Sequence, residues 1–322
     1  MPKEPHAQMI TFKRQLCPVP TPDAGSLAQA YAACEALARS HYENFPVASM
    51  LLPKAMRPHI AAVYAFARRA DDMADEGTAT TTDRRAVLES WCRRLHAAVA
   101  SPADASIDSP AVRDEDLMLR ATANSIRTLE LPLQLFDDLV SAFAQDTMTT
   151  RYASWDDVLD YCRRSANPVG RLVLRIAGYR DQRLDQSSDA LCTALQLTNF
   201  WQDFGRDWRA GRLYVPREVQ RAEGADESQL SDGTLTDAWA RAIERCVVFT
   251  RQQFAAGCAV CDGVRGRLRA ELRFTWLGGA RILERVERGR FALMHRRPAL
   301  GSADLPVLLW RAATWTRTAV EL

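Results

Sequence analysis

Ten segments of helical periodicity, separated by short polar breaks, constrain the fold of this chain most strongly. Apolar residues recur at three- and four-residue spacing through each segment, which is typical of amphipathic helices. The breaks carry turn residues, as in GTATTTD at 77–83, and none reads as a domain linker. No segment of the 322 residues alternates apolar and polar residues as a strand would. The predicted helices cover 25–44, 54–75, 83–99, 115–129, 132–146, 155–178, 188–209, 236–262, 266–297 and 304–318.

This pattern predicts an all-α fold. We expect one helical domain over residues 1–322, with residues 1–24 as a loosely ordered N-terminal arm. Helical bundles build their ligand sites from side chains on facing helices, so we expect the functional site in a central cavity.

Charge balance and cysteine content narrow the class of protein. The chain has 42 basic and 40 acidic side chains, so it lacks the concentrated positive charge of a nucleic-acid-binding protein. Its eight cysteines are too sparse for a disulfide scaffold, and Cys258 and Cys261 have no second pair to complete a zinc site. The N-terminus has no signal-peptide pattern, and no stretch reaches the ~20 apolar residues of a spanning helix. We therefore expect a cytoplasmic protein with reduced thiols.

Two acidic clusters point to a metal site. Asp71 and Asp75 lie four residues apart in YAFARRADDMADEG. Asn199, Asp203 and Asp207 repeat that spacing in LTNFWQDFGRDW. On a helix, this spacing stacks the side chains on one face, about 6 Å apart. Adjacent carboxylates repel each other unless a cation lies between them, and Mg²⁺ prefers such oxygen ligands together with substrate phosphates.

A solvated acidic face is the alternative for either cluster taken alone. Both clusters follow apolar helical stretches, VYAFARRA before Asp71 and ALQLTNFW before Asp203, so we expect them to face the core. Because buried unpaired carboxylates are costly, two such clusters favour a shared metal site. A di-iron bundle needs Glu-x-x-His on its helices, and no glutamate in the sequence has a histidine three residues later.

These motifs resemble those of the squalene and phytoene synthase family, all-helical isoprenoid enzymes that join or process prenyl diphosphates. The similarity extends over residues 30–297, and four motifs occur in order and at matching spacing. They are HYENFPVASMLLP at 41–53, the first aspartate motif at 64–76, DYCRRSANPVGRLVL at 160–174 and NFWQDFGRDWRAGRLYVP at 199–216.

Two departures from the usual family pattern favour one branch. The family usually has N-x-x-R-D in its second motif, whereas this chain has Gln202 before Asp203. It usually has Y-C-x-x-V-A-G-x-V-G, whereas Tyr161 here leads into SANPVG at 165–170. Both departures resemble the bacterial branch that converts presqualene diphosphate to hydroxysqualene in squalene and hopanoid biosynthesis. The alternatives are another head-to-head synthase, making presqualene diphosphate, squalene or phytoene, and a catalytically silent helical scaffold.

The resemblance also implies the roles of individual residues. Mg²⁺ would neutralise the leaving diphosphate, and water rather than hydride would capture the rearranged cation, so we expect no NADPH. The implied metal ligands are Asp71, Asp75, Asn199, Asp203 and Asp207. The implied catalytic residues are these four aspartates with Tyr161 and Gln202, the last two as groups that orient the water. The implied substrate-binding residues are His41, Phe45, Tyr64, Arg68, Asn199, Arg212 and Tyr214.

Alternatives remain for several of these side chains. Arg68 is placed to bind a phosphate oxygen, but an ion pair with Asp72 fits the same spacing. His41 has a helix-capping role as its alternative. Aromatic residues that would shield a cation, with core packing as the alternative, are Phe45, Tyr64, Phe66, Phe200 and Trp201.

The C-terminal segment 305–322 places leucine, tryptophan and arginine in an order compatible with an interfacial helix. Because presqualene diphosphate is a lipid, we expect transient contact with the inner face of the membrane and functional coupling to other squalene-pathway enzymes. A last helix packed on the bundle is the alternative.

Overall fold

A computed structural model describes residues 24–40, 52–75, 79–101 and 110–315. Within these residues the fold is all-α, with thirteen α-helices and no β-strand, which confirms the predicted fold class. The helices are α1 Ala24–Ser40, α2 Arg57–Asp75, α3 Thr81–Ala100, α4 Pro110–Leu129, α5 Gln134–Asp146, α6 Trp155–Ser165, α7 Asn167–Ile176, α8 Gln182–Gln202, α9 Phe204–Arg209, α10 Arg217–Glu223, α11 Asp237–Gly263, α12 Gly266–Arg288 and α13 Asp304–Thr314.

Local chemistry explains why some predicted bounds were wrong. Three predicted helices differ most from the structure: 155–178, 188–209 and 266–297. The first is two helices, because Pro168 has no N–H to continue α6 and instead lies in the first turn of α7. The second starts earlier, at Gln182, and breaks at Asp203, whose φ of −93° and ψ of 9° lie outside helical geometry. The third ends at Arg288.

Helices α8 and α11 pack antiparallel along one another in the hydrophobic core. Near one end, Ser187 Oγ donates to the carbonyl of Ala256 at 3.0 Å. Near the other, the fully buried Trp201 donates from Nε1 to Thr250 Oγ1 at 2.9 Å. Gly257 permits the close approach, since a Cβ there would lie 2.6 Å from the α8 backbone. Burial of a side chain as large as Trp201 contributes about 3 kcal/mol.

Helix α2 is oriented by the aromatic face that it buries. Phe66 is fully buried, stacks on Trp91 of α3 with ring centroids 5.5 Å apart, and meets Phe136 of α5 edge-on. Asp71 and Asp75 follow Phe66 by five and nine residues, which turns them to the opposite side of the helix. Packing of the core face therefore points the first acidic motif away from α3 and α5.

An apolar cavity of about 600 Å³ lies between α1, α2, α7, α8 and α12. Leucine side chains dominate the part of its wall that α7, α8 and α12 supply. On α2 the cavity wall extends as far as Ala67, and on α8 as far as Leu195. Both acidic motifs therefore begin one turn beyond the end of the cavity wall.

Helix α13 is docked by one charged and one apolar side chain. Arg285 donates from Nη2 to both carboxylate oxygens of Asp304, at 2.6 and 2.8 Å, and Leu308 is buried. Its other side exposes apolar residues, including 62% of Trp310. Across the described ranges, no helix is both long enough and apolar enough to cross a membrane.

Candidate active site

The first acidic motif forms the last turns of α2. Arg68 donates from Nη1 to Asp71 Oδ2 at 3.3 Å, and its Nη2 lies 2.7 Å from Asp72 Oδ1. The ion pair with Asp72 is therefore formed, and the same guanidinium also reaches Asp71. Asp71 and Asp75 are about half exposed, so their carboxylates are open to a ligand.

The second motif spans the junction between α8 and α9. The Asp203 N–H donates to the Asn199 carbonyl at 2.8 Å, and the Asp207 N–H donates to the Asp203 carbonyl at 2.9 Å. These bonds maintain four-residue stacking across the break at Asp203. Gly205 allows the junction to lie against the segment after α12, because a Cβ there would be 2.5 Å from the Met294 carbonyl oxygen.

Arg212 joins the two motifs. Its Nη1 lies 3.7 Å from Asp75 Oδ1 on α2, and its Nη2 lies 3.3 Å from Asp207 Oδ1 on α9. Gly211, at a φ of +79°, makes the turn that brings Arg212 back toward α9, where its N–H donates to the Asp207 carbonyl at 2.7 Å. Two motifs separated by more than a hundred residues thus flank one guanidinium.

Asp203 has a different partner. Arg297, in the segment after α12, donates from Nε to Oδ1 at 2.5 Å and from Nη2 to Oδ2 at 3.1 Å. Asn199 donates from Nδ2 to Asp203 Oδ2 at 2.8 Å. A ligand at Asp203 would therefore have to share this carboxylate with Arg297, a contact that the sequence alone did not suggest.

Asp146, at the end of α5, is a further acidic residue that sequence reasoning missed. Tyr161 donates its hydroxyl proton to Asp146 Oδ2 at 2.6 Å, and among the described residues no group bonds Oδ1. Burial raises the pKa of Asp146 to about 7, against the lowering effect of the Tyr161 hydrogen bond, and the negative charge of Asp75 adds to the rise. Its sequence signal, one aspartate at the end of an apolar helix, is too common to be informative.

Aromatic rings surround this carboxyl. Tyr214 stacks on Phe200 with ring centroids 3.7 Å apart and packs against Tyr152 at 5.7 Å. Burial raises the pKa of Tyr161 and of Tyr214, and Asp146 raises both further, so both phenols stay protonated. The cluster therefore presents neutral hydroxyl groups beside the acidic motifs.

The electrostatics of the site favour an added cation. Burial raises the pKa of Asp207 to about 6, although Arg212 lowers it. Burial and the adjacent Asp75 raise the pKa of Asp71. A raised carboxyl pKa means that the negative form is poorly stabilised where it lies, so a positive ion placed there would be bound favourably.

The oxygen atoms of the two acidic motifs fit a Mg²⁺ ion that is bound together with a phosphate substrate. The carboxylates and the Asn199 amide offer the oxygen ligands that this ion prefers. Within the described ranges, the two motifs do not bring carboxylate oxygens of three residues within 4.8 Å of one another. Ions at this site would therefore draw their remaining ligands from water and from a diphosphate.

One group of potential metal ligands lies elsewhere in the described part of the chain: Cys92, His96 and Asp137. The Cys92 thiol donates to Asp137 Oδ1 at 3.1 Å, and His96 Nε2 lies 2.7 Å from the same oxygen. These are hydrogen-bond distances, and ligand atoms around a tetrahedral zinc ion would be roughly 3.3–3.8 Å apart. The geometry indicates a hydrogen-bonded cluster.

The remaining predicted residues are divided between cavity, core and undescribed segments. Tyr64 lines the cavity. Phe66 and Trp201 are fully buried in core packing. Gln202 is buried and donates from Nε2 to the Pro298 carbonyl at 2.6 Å, so part of its amide holds the segment after α12. His41 and Phe45 lie outside the described residues.

Comparison with known proteins agrees with this fold and identifies the family. The squalene/phytoene synthase family profile matches residues 38–304, and the chain belongs to this family. It is 39% identical over 211 residues to the hydroxysqualene synthase of Zymomonas mobilis, covering 65% of this chain and 66% of that protein. It is 35% identical over 216 residues to the hydroxysqualene synthase of Rhodopseudomonas palustris, covering 67% and 69%. The matched segments thus span about two thirds of these curated relatives.

Solved structures show the same fold. The squalene synthase HpnC from Alicyclobacillus acidocaldarius is 38% identical, with a TM-score of 0.74, covering 82% of this chain and 97% of that one. A dehydrosqualene synthase crystallised with a ligand is 20% identical, with a TM-score of 0.75, covering 91% and 99%, and it shares the fold. The curated relatives, at 35% and 39% identity, support the expected assignment as an enzyme of the hydroxysqualene synthase type.

Proposed function

We propose that this protein converts presqualene diphosphate to hydroxysqualene. The C–O bond to diphosphate breaks, the leaving group keeps the electron pair, and the resulting carbocation rearranges. Water then forms the new C–O bond and releases one proton. The observation that carries the proposal is the junction of both acidic motifs at Arg212, one turn beyond an apolar cavity on α2 and α8.

The cavity and the acidic motifs match the two chemically different ends of the proposed substrate. The hydrocarbon arms fit the apolar cavity, and the diphosphate fits the acidic and basic groups beyond it. Bound Mg²⁺ would neutralise the charge that develops on the departing diphosphate. The residues proposed to hold it are Asp71, Asp75, Asn199, Asp203 and Asp207. Arg68 and Arg212 would donate hydrogen bonds to the diphosphate, each from a guanidinium already placed between carboxylates.

The aromatic cluster around Asp146 and the neighbouring Gln202 supply what the carbocation requires, which is shielding from bulk water and one oriented water molecule. Tyr214 and Phe200 present ring faces that stabilise a nearby cation and exclude bulk water. Tyr161 and Gln202 are the groups proposed to orient the capturing water. His41, Phe45 and Tyr64 are proposed to contact the substrate as well.

Product analysis tests this function. With presqualene diphosphate and Mg²⁺, hydroxysqualene is expected as the main product, and adding NADPH is expected to leave the yield unchanged. Chromatography with and without NADPH measures both points. Squalene formed only with NADPH would contradict the proposal.

A head-to-head synthase is the second candidate, because the chain is also 28% identical over 232 residues to the phytoene synthase of Synechococcus elongatus. Consumption of two allylic diphosphates, without turnover of presqualene diphosphate, would favour that activity. A protein that turns over neither would be a silent scaffold.

We also propose that α13 brings the protein to the cytoplasmic face of the membrane. Leu305, Val307, Leu309 and Trp310 are exposed on one short helix that Asp304 and Leu308 dock to the bundle. An apolar helix face of this kind inserts shallowly among lipid headgroups. Such contact would supply a lipid substrate and couple this enzyme to others that act on the same lipids.

Replacing two of these side chains tests the membrane contact. The double variant Leu309→Asp, Trp310→Asp is expected to reduce binding to phosphatidylglycerol-containing vesicles at least about tenfold, because it removes two apolar insertions. Vesicle flotation measures the loss. Val248→Asp, at an equally exposed valine on α11, is the matched control and should bind as wild type does. Equal flotation of the double variant and wild type would reject the role of α13.

A further inference from the structure

Arg151, in the segment between α5 and α6, joins three parts of the chain that are distant in the sequence. Its guanidinium makes a bidentate ion pair with Glu227, in which Nε donates to Oε1 and Nη2 to Oε2, both at 2.8 Å. Nη1 donates to the Gly211 carbonyl at 2.6 Å and to the Thr150 carbonyl at 2.8 Å. The guanidinium also lies over the Trp208 ring, 5.6 Å from its centroid. All three of its nitrogen atoms therefore have partners.

The Gly211 carbonyl belongs to the peptide unit that leads into Arg212. In a trans peptide, the C=O and N–H groups point in opposite directions. The carbonyl accepts from Arg151, and the Arg212 N–H on the other side donates to the Asp207 carbonyl at 2.7 Å. A glycine backbone has few steric restraints, and a Cβ at Gly211 would meet only open space. The two hydrogen bonds, rather than local sterics, therefore fix the direction of this peptide unit.

The arginine clamp, formed by Arg151, Glu227 and the Gly211 carbonyl, is anchored in the core of the bundle. Glu227 begins a short 3₁₀ helix. The carbonyl just before this helix, on Asp226, accepts a hydrogen bond at 2.9 Å from Nε1 of the fully buried Trp239 on α11. Because Glu227 is held to α11 in this way, the clamp ties the Gly211 turn to a fixed part of the fold.

We propose that Arg151 is a positioning residue for Arg212 and acts through it on the diphosphate. Among the described residues, the polar contacts of Arg151 go to Glu227 and to backbone carbonyls, and none goes to a carboxylate of the acidic motifs. Its effect on the site therefore passes through the peptide between Gly211 and Arg212. The proposal rests on the proposed function, in which Arg212 donates hydrogen bonds to the diphosphate.

Loss of the clamp would displace the Arg212 guanidinium without changing its charge. This guanidinium lies between Asp75 and Asp207, at 3.7 and 3.3 Å. Bidentate contact with a phosphate depends on where the planar group lies and how it is turned. A misplacement of about 1 Å can cost as much as about 100-fold. Arg151 should therefore have a large effect on a ligand that it does not touch.

Binding of inorganic diphosphate tests the clamp apart from the reaction. Calorimetry in the presence of Mg²⁺ measures the dissociation constant. Arg151→Lys keeps the positive charge but loses the planar fork, so it is expected to weaken binding about tenfold. Glu227→Gln keeps the shape but loses the ion pair, and it should weaken binding at least about threefold.

These two variants separate positioning from attraction by charge alone. If Arg151 acted only by its charge, Arg151→Lys would bind diphosphate as wild type does. Glu227→Gln, which removes a negative charge, would then bind it more tightly. Either result would overturn the proposal.

A double-mutant cycle measures whether the effect passes through Arg212. In protein that already carries Arg212→Gln, adding Arg151→Lys should weaken binding by less than about twofold further, because the group to be positioned is absent. The same loss in this background as in wild type would mean that the two residues act independently, which contradicts a positioning role.

Arg175→Lys is the matched control for loss of an arginine fork. Arg175 also makes a bidentate ion pair, with Asp185, and also donates to a backbone carbonyl, that of Tyr179 at 3.0 Å. Asp185 precedes Asn199 on α8 by about 20 Å along the helix. Melting temperatures by circular dichroism should fall similarly in Arg151→Lys and Arg175→Lys, whereas Arg175→Lys should bind diphosphate as wild type does.

The outcomes distinguish the clamp from the proposed function. Equal loss of diphosphate binding in Arg151→Lys and Arg175→Lys would show a general effect of destabilisation and overturn the positioning role alone. Wild-type protein that does not bind diphosphate with Mg²⁺ would refute the proposed diphosphate site, and the role of Arg151 with it.

Discussion

The variant Asp71→Asn is expected to slow turnover of presqualene diphosphate at least about 100-fold, the scale seen when stabilisation of transition-state charge is removed. Its fold should not suffer. Burial and the neighbouring Asp75 raise the pKa of Asp71, so the folded protein holds this negative charge unfavourably. A neutral amide relieves that repulsion. The melting temperature should therefore stay the same or rise while the rate falls.

Asp203→Asn should lower the turnover of presqualene diphosphate by a similar factor. Its effect on the melting temperature should differ from that of Asp71→Asn. The Asp203 carboxylate accepts two hydrogen bonds from Arg297, so the amide weakens an ion pair and should lower the melting temperature modestly. Asp156→Asn, at an exposed residue in the first turn of α6, controls for the exchange itself and should leave the rate unchanged. Near-normal turnover of Asp71→Asn or Asp203→Asn at limiting Mg²⁺ would contradict the shared metal site.

These opposite stability effects reflect the balance at the site between burial of the carboxyl groups and the partners that stabilise their charge. Two of its carboxyl groups, on Asp207 and Asp146, have a pKa of about 6 and about 7, because burial outweighs the arginine and tyrosine that partner them. Ionisable side chains with shifted pKa values cluster at functional sites, where the function requires a charge that lowers the stability of the fold. The acidic motifs therefore contribute little to holding the bundle together, which core residues such as Trp201 and Phe66 do instead.

The fold class and the first motif could be predicted from the sequence because both depend on helical periodicity. Asp71 and Asp75 share a face by spacing alone, and the buried aromatic face of α2 fixes the direction in which they point. The same spacing also predicted the stacking of Asn199, Asp203 and Asp207. Periodicity did not reveal the break at Asp203, because backbone hydrogen bonds on both sides preserve the register across it.

Contacts between distant segments could not be predicted in this way. Arg297 reaches Asp203 from the segment after α12, and Asp146 meets Tyr161 across the turn between α5 and α6. Neither pair has a local sequence pattern, since each depends on how helices pack. The same holds for Glu271, which in the sequence is one glutamate in a charged helix and in the structure lies in an apolar wall.

Gln202→Arg is expected to redirect the reaction more than it slows it. Ser188, Leu195 and Gln202 are spaced by seven residues along α8, and the first two line the cavity. Gln202 therefore continues the cavity face toward the acidic motifs. Its Nε2 is committed to the Pro298 carbonyl, which leaves the amide oxygen as an acceptor for a water proton. Arginine offers no acceptor, and its charge would raise the energy of a nearby carbocation and add a third guanidinium beside Asp203, which already pairs with Arg297 and Arg206.

The alcohol share of the products should consequently fall at least about tenfold in Gln202→Arg, with total consumption of presqualene diphosphate reduced by a smaller factor. Chromatographic product distribution measures the two effects separately. Gln186→Arg places the same charge at an exposed residue near the start of α8, far from both acidic motifs, and it should give the wild-type distribution. If Gln202→Arg keeps the wild-type ratio of alcohol to hydrocarbon, Gln202 does not orient the capturing water. That role would then fall to Tyr161, whose hydroxyl already donates to the half-buried Asp146 beside the acidic motifs.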